Sequence, residues 1–254
     1  MNQQQKQILA LQKKARERRK DHAFVVEGSR LFSEAPRERI RYTVVSESFI
    51  RQKESRALLE GLRYDVVSDH LFESLSDTKT PQGILAVLDQ YDYRLEDTFP
   101  KEGKALLLVL DTIQDPGNLG TMLRASEAAG VTGVIMNDKT VDIYNPKVVR
   151  ATMGTIYRLP FYVTENLPET IDRLKTMGVT TYSAHLQGED SYDRFSYSGH
   201  TAFFIGNEGN GLSPEVAERT DKKIRIPMAG QVESLNAAMA ATVLLFEAAR
   251  QRRL

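Results

Sequence analysis

The chain has 254 residues, 41 % hydrophobic and 27 % charged, and Lys and Arg balance Asp and Glu to a formal net charge of zero. That suits one large or two ordinary globular domains and excludes a membrane-spanning helix, because the longest apolar runs, 105–110 and 237–246 (the latter broken only by Thr242), fall well short of the ~18 residues a span needs. Without cysteine there is no disulfide and no thiolate-held metal, and His22, His70, His185 and His200 lack ligand spacing, so no metal is expected.

Residues 3–19 read as a helix. Within 1–20, seven cations (Lys6, Lys13, Lys14, Arg16, Arg18, Arg19 and Lys20) face one acid, Glu17, a net +6 that leaves −6 for the rest. A basic arm on such a body points to a polyanion partner, with a solvated helix face as the alternative. The same stretch lacks the apolar core of a signal peptide, so a cytoplasmic location is expected. Strands are predicted at 24–27, 42–46, 64–68 and 84–88, with helices at 29–35, 47–61 and 69–76 between them. This is a small mixed α/β domain over 1–92. The polar segment 93–104, with Pro100 and Gly103, reads as a linker.

The domain over 105–254 opens on ALLLVLD (105–111), a run expected of a strand buried on both faces of a parallel sheet. A turn and a helix follow. Then come strand 133–136, a helical segment near 145–153, strand 160–163, helix 167–177, strand 179–184, strand 202–205, helix 213–219 and strand 223–226. The last element is an apolar helix over 234–250, expected to be buried on all sides. Alternating strands and helices predict an α/β domain with a mainly parallel sheet.

Ligands of such sheets bind beyond the carboxyl ends of the strands, and three polar stretches fall there. In 111–124, Gly117 and Gly120 permit a tight turn, and Asn118 and Arg124 are the candidate functional residues. In GNEGNGLS (206–213), glycines alternate with Asn207, Glu208 and Asn210, giving a loop able to bend around a small molecule. It is not a phosphate-binding P-loop, since no Lys-Ser/Thr pair follows the last glycine. In 226–236, Gly230 marks a turn, Ser234 is the expected helix cap, and Asn236 is then free for another task. Three such loops in one domain suggest a shared binding crevice.

The succession NLGTMLR (118–124), FIGNEGNGLS (204–213) and IPMAGQVESLNAAMAA (226–241) resembles the three motifs of the TrmH/SpoU-type RNA ribose 2′-O-methyltransferases of the SPOUT class. NPKVVRATMG (145–154) resembles that family's stretch between the first two motifs, with Thr152 where serine is more usual. Residues 1–90, through FVVEGSRLF and TKTPQGILAVL, resemble its ribosomal-protein-like substrate-binding domain. The resemblance implies S-adenosylmethionine as cofactor, a trefoil knot near the C-terminus, and a homodimer whose active sites are completed at the interface. It implies an RNA substrate, ribosomal RNA of the large subunit (23S) ahead of tRNA, and no membrane.

It also implies site residues. Arg124, Asn118, Asn236, Ser234 and Glu208 would form the catalytic set. Gly206, Asn207, Gly211, Ile226, Met228, Leu235 and Ala237 would wrap the cofactor, largely through main-chain groups. Arg124 would either take the proton of the 2′-hydroxyl or anchor the neighbouring phosphate and stabilise the developing alkoxide. The second role fits a guanidinium better, since it holds its protons to above about pH 12. Arg150 would touch RNA or pair with an acid, and the TKTPQG loop (78–83) is a second candidate RNA contact. Two other readings compete. A Rossmann-type oxidoreductase would explain 105–120 but lacks the third glycine and leaves the C-terminal motifs idle. A non-catalytic RNA-binding assembly factor would need the basic arm but not Arg124 or Asn236.

Overall fold

A computed structural model of the chain describes residues 2–53, 55–186, 188 and 190–253. In chain order its elements begin with α1 (Gln3–Lys13), α2 (Ala15–Asp21), β1 (Ala23–Glu27), α3 (Ser29–Glu34), β2 (Ile40–Ser46), α4 (Glu47–Ile50), α5 (Ser55–Leu59), β3 (Tyr64–Val67), α6 (Asp69–Leu75) and β4 (Ile84–Asp89). There follow β5 (Leu106–Leu110), α7 (Pro116–Ala129), β6 (Gly133–Asn137), α8 (Pro146–Thr152), β7 (Phe161–Thr164), α9 (Leu167–Thr176), β8 (Thr180–Ala184), β9 (Asp190–Ser191), β10 (Thr201–Ile205), α10 (Pro214–Arg219), β11 (Lys222–Arg225) and α11 (Ala237–Arg252). Among the described residues no helix is long and apolar enough to cross a membrane.

The chain forms two compact units, one of Met1–Asp92 with Asp142–Tyr157, the other of Tyr93–Val141 with Arg158–Leu254. Segment 142–157, which the sequence pattern places inside 105–254, belongs to the first unit by its packing. The Tyr144 ring lies 4.8 Å from that of Phe24, and its hydroxyl accepts from the Tyr91 amide at 2.7 Å. Arg150 pairs with Asp77 at 2.9 Å, which is the acid-partner alternative of its two readings. Thr152 is buried and donates to the Val149 carbonyl.

In the first unit a four-stranded sheet runs in the order β1-β4-β2-β3; only the β2–β3 pair is parallel. Ile8 and Leu11 of α1 pack on Val25, Val44, Phe72, Leu75 and Val87. The expected single N-terminal helix breaks at Lys14, whose backbone is extended (φ −127°, ψ 114°). The break turns Arg18 inward. Its guanidinium donates to Asp142 and to the carbonyls of Leu11 and Gln12, and the side chain is only 4 % exposed. One cation of the basic arm is therefore structural. The expected helix over 47–61 is likewise two short ones, α4 and α5.

The second unit holds a seven-stranded parallel sheet in the order β7-β6-β5-β10-β8-β11-β9. Every residue of β5 and of β10 is buried, as strands covered on both faces require. Segment 93–104 is not an open tether. It forms a short 3₁₀ turn at Leu95–Thr98, and Leu95 and Thr98 are buried in the core. Thr98 presses so closely on Gly133 that a Cβ there would lie 2.3 Å from the threonine Cβ.

Helix α11 starts later and is less enclosed than expected. Ala238, Ala241, Leu244, Leu245 and Ala248 are buried on one face. Met239 and Phe246 on another are 63 % and 43 % exposed. At its far end Arg252 donates to the carbonyls of Lys104, Ala105, Tyr197 and Gly199, clamping the helix to the sheet.

Candidate active site

The site is built where β5 and β10 end side by side. Leu110 and Ile205 are paired, and the Asp111 amide continues the ladder to the Ile205 carbonyl at 2.9 Å. Beyond that point each strand leads into one of the polar loops. Asp111 is buried. One carboxylate oxygen accepts from the Ser213 amide at 2.8 Å, and the other from the Thr112 hydroxyl at 3.0 Å and Asn137 Nδ2 at 2.9 Å. A buried carboxylate needs such donors to remain tolerable.

Thr112 adopts φ +62°, a left-handed conformation unusual for a β-branched residue. Its neighbours over-determine it. The Thr112 amide donates to Asn137 Oδ1 at 3.0 Å, its carbonyl accepts from Asn207 Nδ2 at 2.9 Å, and its hydroxyl accepts from Asn137 Nδ2. Strain of this kind persists only where surrounding structure holds it.

Loop 206–213 is equally constrained. Asn207 Oδ1 accepts from the Gly209 and Asn210 amides, and the Asn207 and Gly211 main chains exchange two bonds of 2.9 Å. The chain closes on itself at Gly206, where a Cβ would sit 2.0 Å from Gly211 C and Leu212 N. Gly211 takes φ +69°. Glu208 then reaches out to the start of α7. It accepts from the Gln114 amide at 3.1 Å, the Asp115 amide at 3.0 Å and Asn118 Nδ2 at 3.0 Å. Partial burial pushes the Glu208 carboxyl up, but the Asn118 side chain and the Gln114 and Asp115 amides outweigh it and hold the group below the usual carboxylate range.

Asn118 connects this pair of loops to the third. Its Oδ1 accepts from Asn236 Nδ2 at 3.0 Å. Asn236 is the N-cap of α11, its own Oδ1 accepting from the Ala238 and Met239 amides. The expectation that Ser234 caps this helix is thus corrected. The chain has no helical residue through 231–236 and turns helical only at Ala237, so the cap falls two residues later, and Ser234 stays exposed outside the helix. The amide orientations follow from chemistry. A carboxylate can only accept, so Asn118 must offer Glu208 its Nδ2. The capping oxygen of Asn236 is taken, so its Nδ2 must face Asn118.

Of the expected catalytic set, then, Asn118, Glu208 and Asn236 form one hydrogen-bonded relay. Arg124 is exposed on the same helix as Asn118 and stands outside that relay. Gly206, Asn207 and Gly211 share one loop. Ile226, Met228 and Leu235 are half-buried, and Ala237 is the first residue of α11. Among the described residues no main-chain hydrogen bond ties 227–235 to the rest of the chain. A long segment of unused main-chain donors and acceptors, with half-buried apolar side chains, therefore leads into Asn236.

Comparison with known proteins places the chain in a family. Residues 105–246 match the SpoU rRNA methylase family, and residues 2–86 match the MRM3-like substrate-binding domain. The chain belongs to the SpoU rRNA methylase family. It is 36 % identical over 234 residues to the 23S rRNA (guanosine(2553)-2′-O)-methyltransferase RlmP of Bacillus subtilis, covering 91 % of this chain and 90 % of that one. Two solved structures with bound AdoMet are close in fold. The SpoU methyltransferase AviRb of Streptomyces viridochromogenes superposes with a TM-score of 0.90 at 29 % identity, covering 100 % of this chain and 99 % of that one. An rRNA methyltransferase of Sinorhizobium meliloti does so with 0.83 at 30 % identity, covering 98 % and 95 %.

Within this SpoU-type site the sequence pattern did not single out Asp111, Thr112, Asn137 or Ser213. One signal was present: a lone carboxylate ending a fully apolar strand must be buried and must find donors. Asn137 occupies the same place at the end of β6.

Proposed function

We propose that this chain transfers a methyl group from S-adenosylmethionine to the 2′-hydroxyl of a ribose in 23S ribosomal RNA, as a cytoplasmic homodimer. The observation that carries the reading is the Asn236–Asn118–Glu208 relay, which joins three segments distant in sequence beside a main-chain segment with free hydrogen-bonding groups. That segment fits the cofactor's donor and acceptor set. An adenine and a ribose are well read by main-chain amides and carbonyls, with half-buried Ile226, Met228 and Leu235 supplying apolar contact. Gly206, Asn207 and Gly211 would form the facing loop, already closed by its own bonds.

When bound, the cofactor supplies a methyl group on a sulfonium, ready for in-line displacement. What the protein must supply is position and charge. A ribose hydroxyl is a weak nucleophile until its proton is lost or polarised. Arg124, exposed and outside the relay, is free to grip the adjacent phosphate with its planar fork and to stabilise the alkoxide. Asn118 and Asn236, held by Glu208 and by the helix cap, would fix the edge of the site against which the ribose rests. Ser234, exposed beside them, would contact the RNA.

The homodimer is supported by exposed Met239 and Phe246 on α11, which with half-buried Val243 are spaced to share one face. A second copy is the occupant we assign to it. Arg124→Ala tests the chemistry. Methyl transfer to 23S RNA should fall at least a hundredfold, as for removal of a single transition-state donor (~10²–10³), while S-adenosylmethionine binding measured by calorimetry stays unchanged. Full activity of that variant would remove Arg124 from the reaction. Mapping 2′-O-methyl groups in RNA from cells with and without the protein identifies the nucleotide.

A further inference from the structure

A cavity of about 350 Å³ in the first unit is lined by Ser48, Gln52, Asp69, Glu73, Pro81 and Gln82, among others. None of these residues belongs to the relay described above. Its walls are built. Glu27, buried at the end of β1, accepts from the Ser76 and Thr78 hydroxyls and the Asp77 amide, which fixes the loop leading to Pro81. Gln82 Oε1 accepts from the Ser29 amide at 2.8 Å. The Gly83 carbonyl accepts from the Ser46 amide, and a Cβ at Gly83 (φ +82°) would come within 2.7 Å of Ser46 Oγ. The recess is therefore preformed.

Its chemistry is one-sided. Asp69 and Glu73 lie four residues apart on α6, so two carboxylates share a face. Hydrogen bonds from Ser48, the largest effect, hold the Asp69 carboxyl below its ordinary range, so it is an acceptor. Gln82 has its oxygen engaged, which leaves Nε2 as a donor. Carboxylates repel phosphate. Yet the wall segments also carry Arg30, Arg51, Lys53 and Lys79, all exposed, beside Ser29, Gln52 and Pro81. Arg30 and Arg51 lie 3.8 and 4.0 Å from Glu34 and Glu47, and the Arg51 charge also helps to lower the Asp69 carboxyl. Asp69 and Glu73 are exposed at the mouth of the recess, and acceptors there with cations on the flanking segments suit a nucleotide whose base meets the carboxylates and whose phosphates meet the cations.

We infer that this recess holds one unstacked guanine of the substrate RNA, its Watson–Crick edge read by the carboxylates of Asp69 and Glu73. Guanine alone presents two adjacent donors, N1–H and N2–H, to one carboxylate, with O6 left for an amide or hydroxyl donor. Adenine and cytosine turn a ring acceptor toward the carboxylate, and uracil offers a single imino proton. The inference rests on the proposed RNA methylation and specifies what the N-terminal unit reads.

The test uses the full chain and short labelled RNAs, UUGUU and its inosine, adenine and cytosine counterparts, in fluorescence anisotropy. The guanine pentamer should bind at least about fivefold tighter than the others, the lower end of a bidentate base contact. The double variant Asp69→Asn with Glu73→Gln should erase that preference while keeping the salt-dependent background. Both changes are near-isosteric, and an unaltered melting curve confirms the fold. Equal affinities for all pentamers, or a preference that survives the double variant, would overturn the inference. So would guanosine monophosphate binding as tightly as the pentamer, since the site would then serve a free nucleotide. S-adenosylmethionine binding and methyl transfer are read on the same samples. Their absence with the guanine preference intact would defeat the proposed activity and leave the recess standing; their presence without the preference would do the reverse.

Discussion

Asn236 does two things at once, and two substitutions separate them. Its oxygen caps α11 and its nitrogen holds Asn118. Loss of an N-cap costs about 1 kcal/mol, with a range of roughly 0.5–2. Loss of a neutral side-chain hydrogen bond costs about 0.5–1.5 kcal/mol, and the lower half applies here because Asn236 is exposed. Asn236→Ala removes both, so unfolding should be easier by about 1–3 kcal/mol. For a chain of this size each kcal/mol lowers Tm by about 2–4 °C. Asn236→Asp keeps the cap, and a negative charge at a helix N-terminus is favourable. It cannot donate to Asn118, and Asn118 cannot flip to compensate, because its nitrogen is committed to Glu208. Asn236→Asp should therefore melt within about 2 °C of the parent yet lose at least about tenfold in single-turnover methyl transfer, the equivalent of 1.4 kcal/mol in the barrier. Differential scanning calorimetry and a labelled-methyl assay read the two effects. If Asn236→Asp destabilises as much as Asn236→Ala, or transfers methyl at the parent rate, the division of labour is wrong.

Gly206→Ala forces a Cβ against main-chain atoms of Gly211 and Leu212, a clash costing about 1–3 kcal/mol; S-adenosylmethionine affinity by calorimetry should fall about five- to 150-fold. Phe246→Glu places a charge in the exposed stripe of α11 and should convert a dimer to a monomer in sedimentation, with methyl transfer lost alongside. Glu208 gives a pH signature. Its folded carboxyl lies below the ordinary value of 4.5, so the unfolded chain binds its proton first. The stability it confers is complete above that value and is lost as pH falls through the lowered one. Glu208→Gln should flatten this part of the Tm–pH curve, and an unchanged curve would show that the three donors do not favour the anion.

Most elements were legible because each signal was local. The apolar runs at 105–110 and 202–205 could only be doubly covered strands, and β5 and β10 are fully buried. Gly130, at φ +77°, stops α7 where its pattern ends. What was not legible depended on partners far away in sequence. Nothing near Lys14 announces a break; the helix breaks so that Arg18 can reach Asp142. Leu95 looks like a stray apolar residue in a polar stretch until it meets the core under β6 and β7. The segment after β11 reads as capped by Ser234, yet the cap is Asn236. Local preference does not rank serine below asparagine. The choice falls to Asn236 because it can also donate to Asn118, which a serine capping with its oxygen could do only through its single proton.

The same logic explains why the strained residue of the site is a threonine. At φ +62° a glycine would be unstrained, but it would bring no hydroxyl to Asp111 and Asn137. With glycine there, Asp111 would lose the donor at 3.0 Å, and Asn137 Nδ2 would keep only its bond to Asp111. A left-handed threonine costs of order 1–3 kcal/mol. It is offset by the two hydrogen bonds of its hydroxyl, to a carboxylate and an amide that are themselves buried. The consequence reaches loop 206–213, since the carbonyl that Thr112 turns outward is the acceptor for Asn207. Asn207 in turn gathers the Gly209 and Asn210 amides. The loop is thus shaped by the end of β5 before any ligand arrives, and the ordering cost that a flexible glycine-rich loop would impose on binding is met during folding instead.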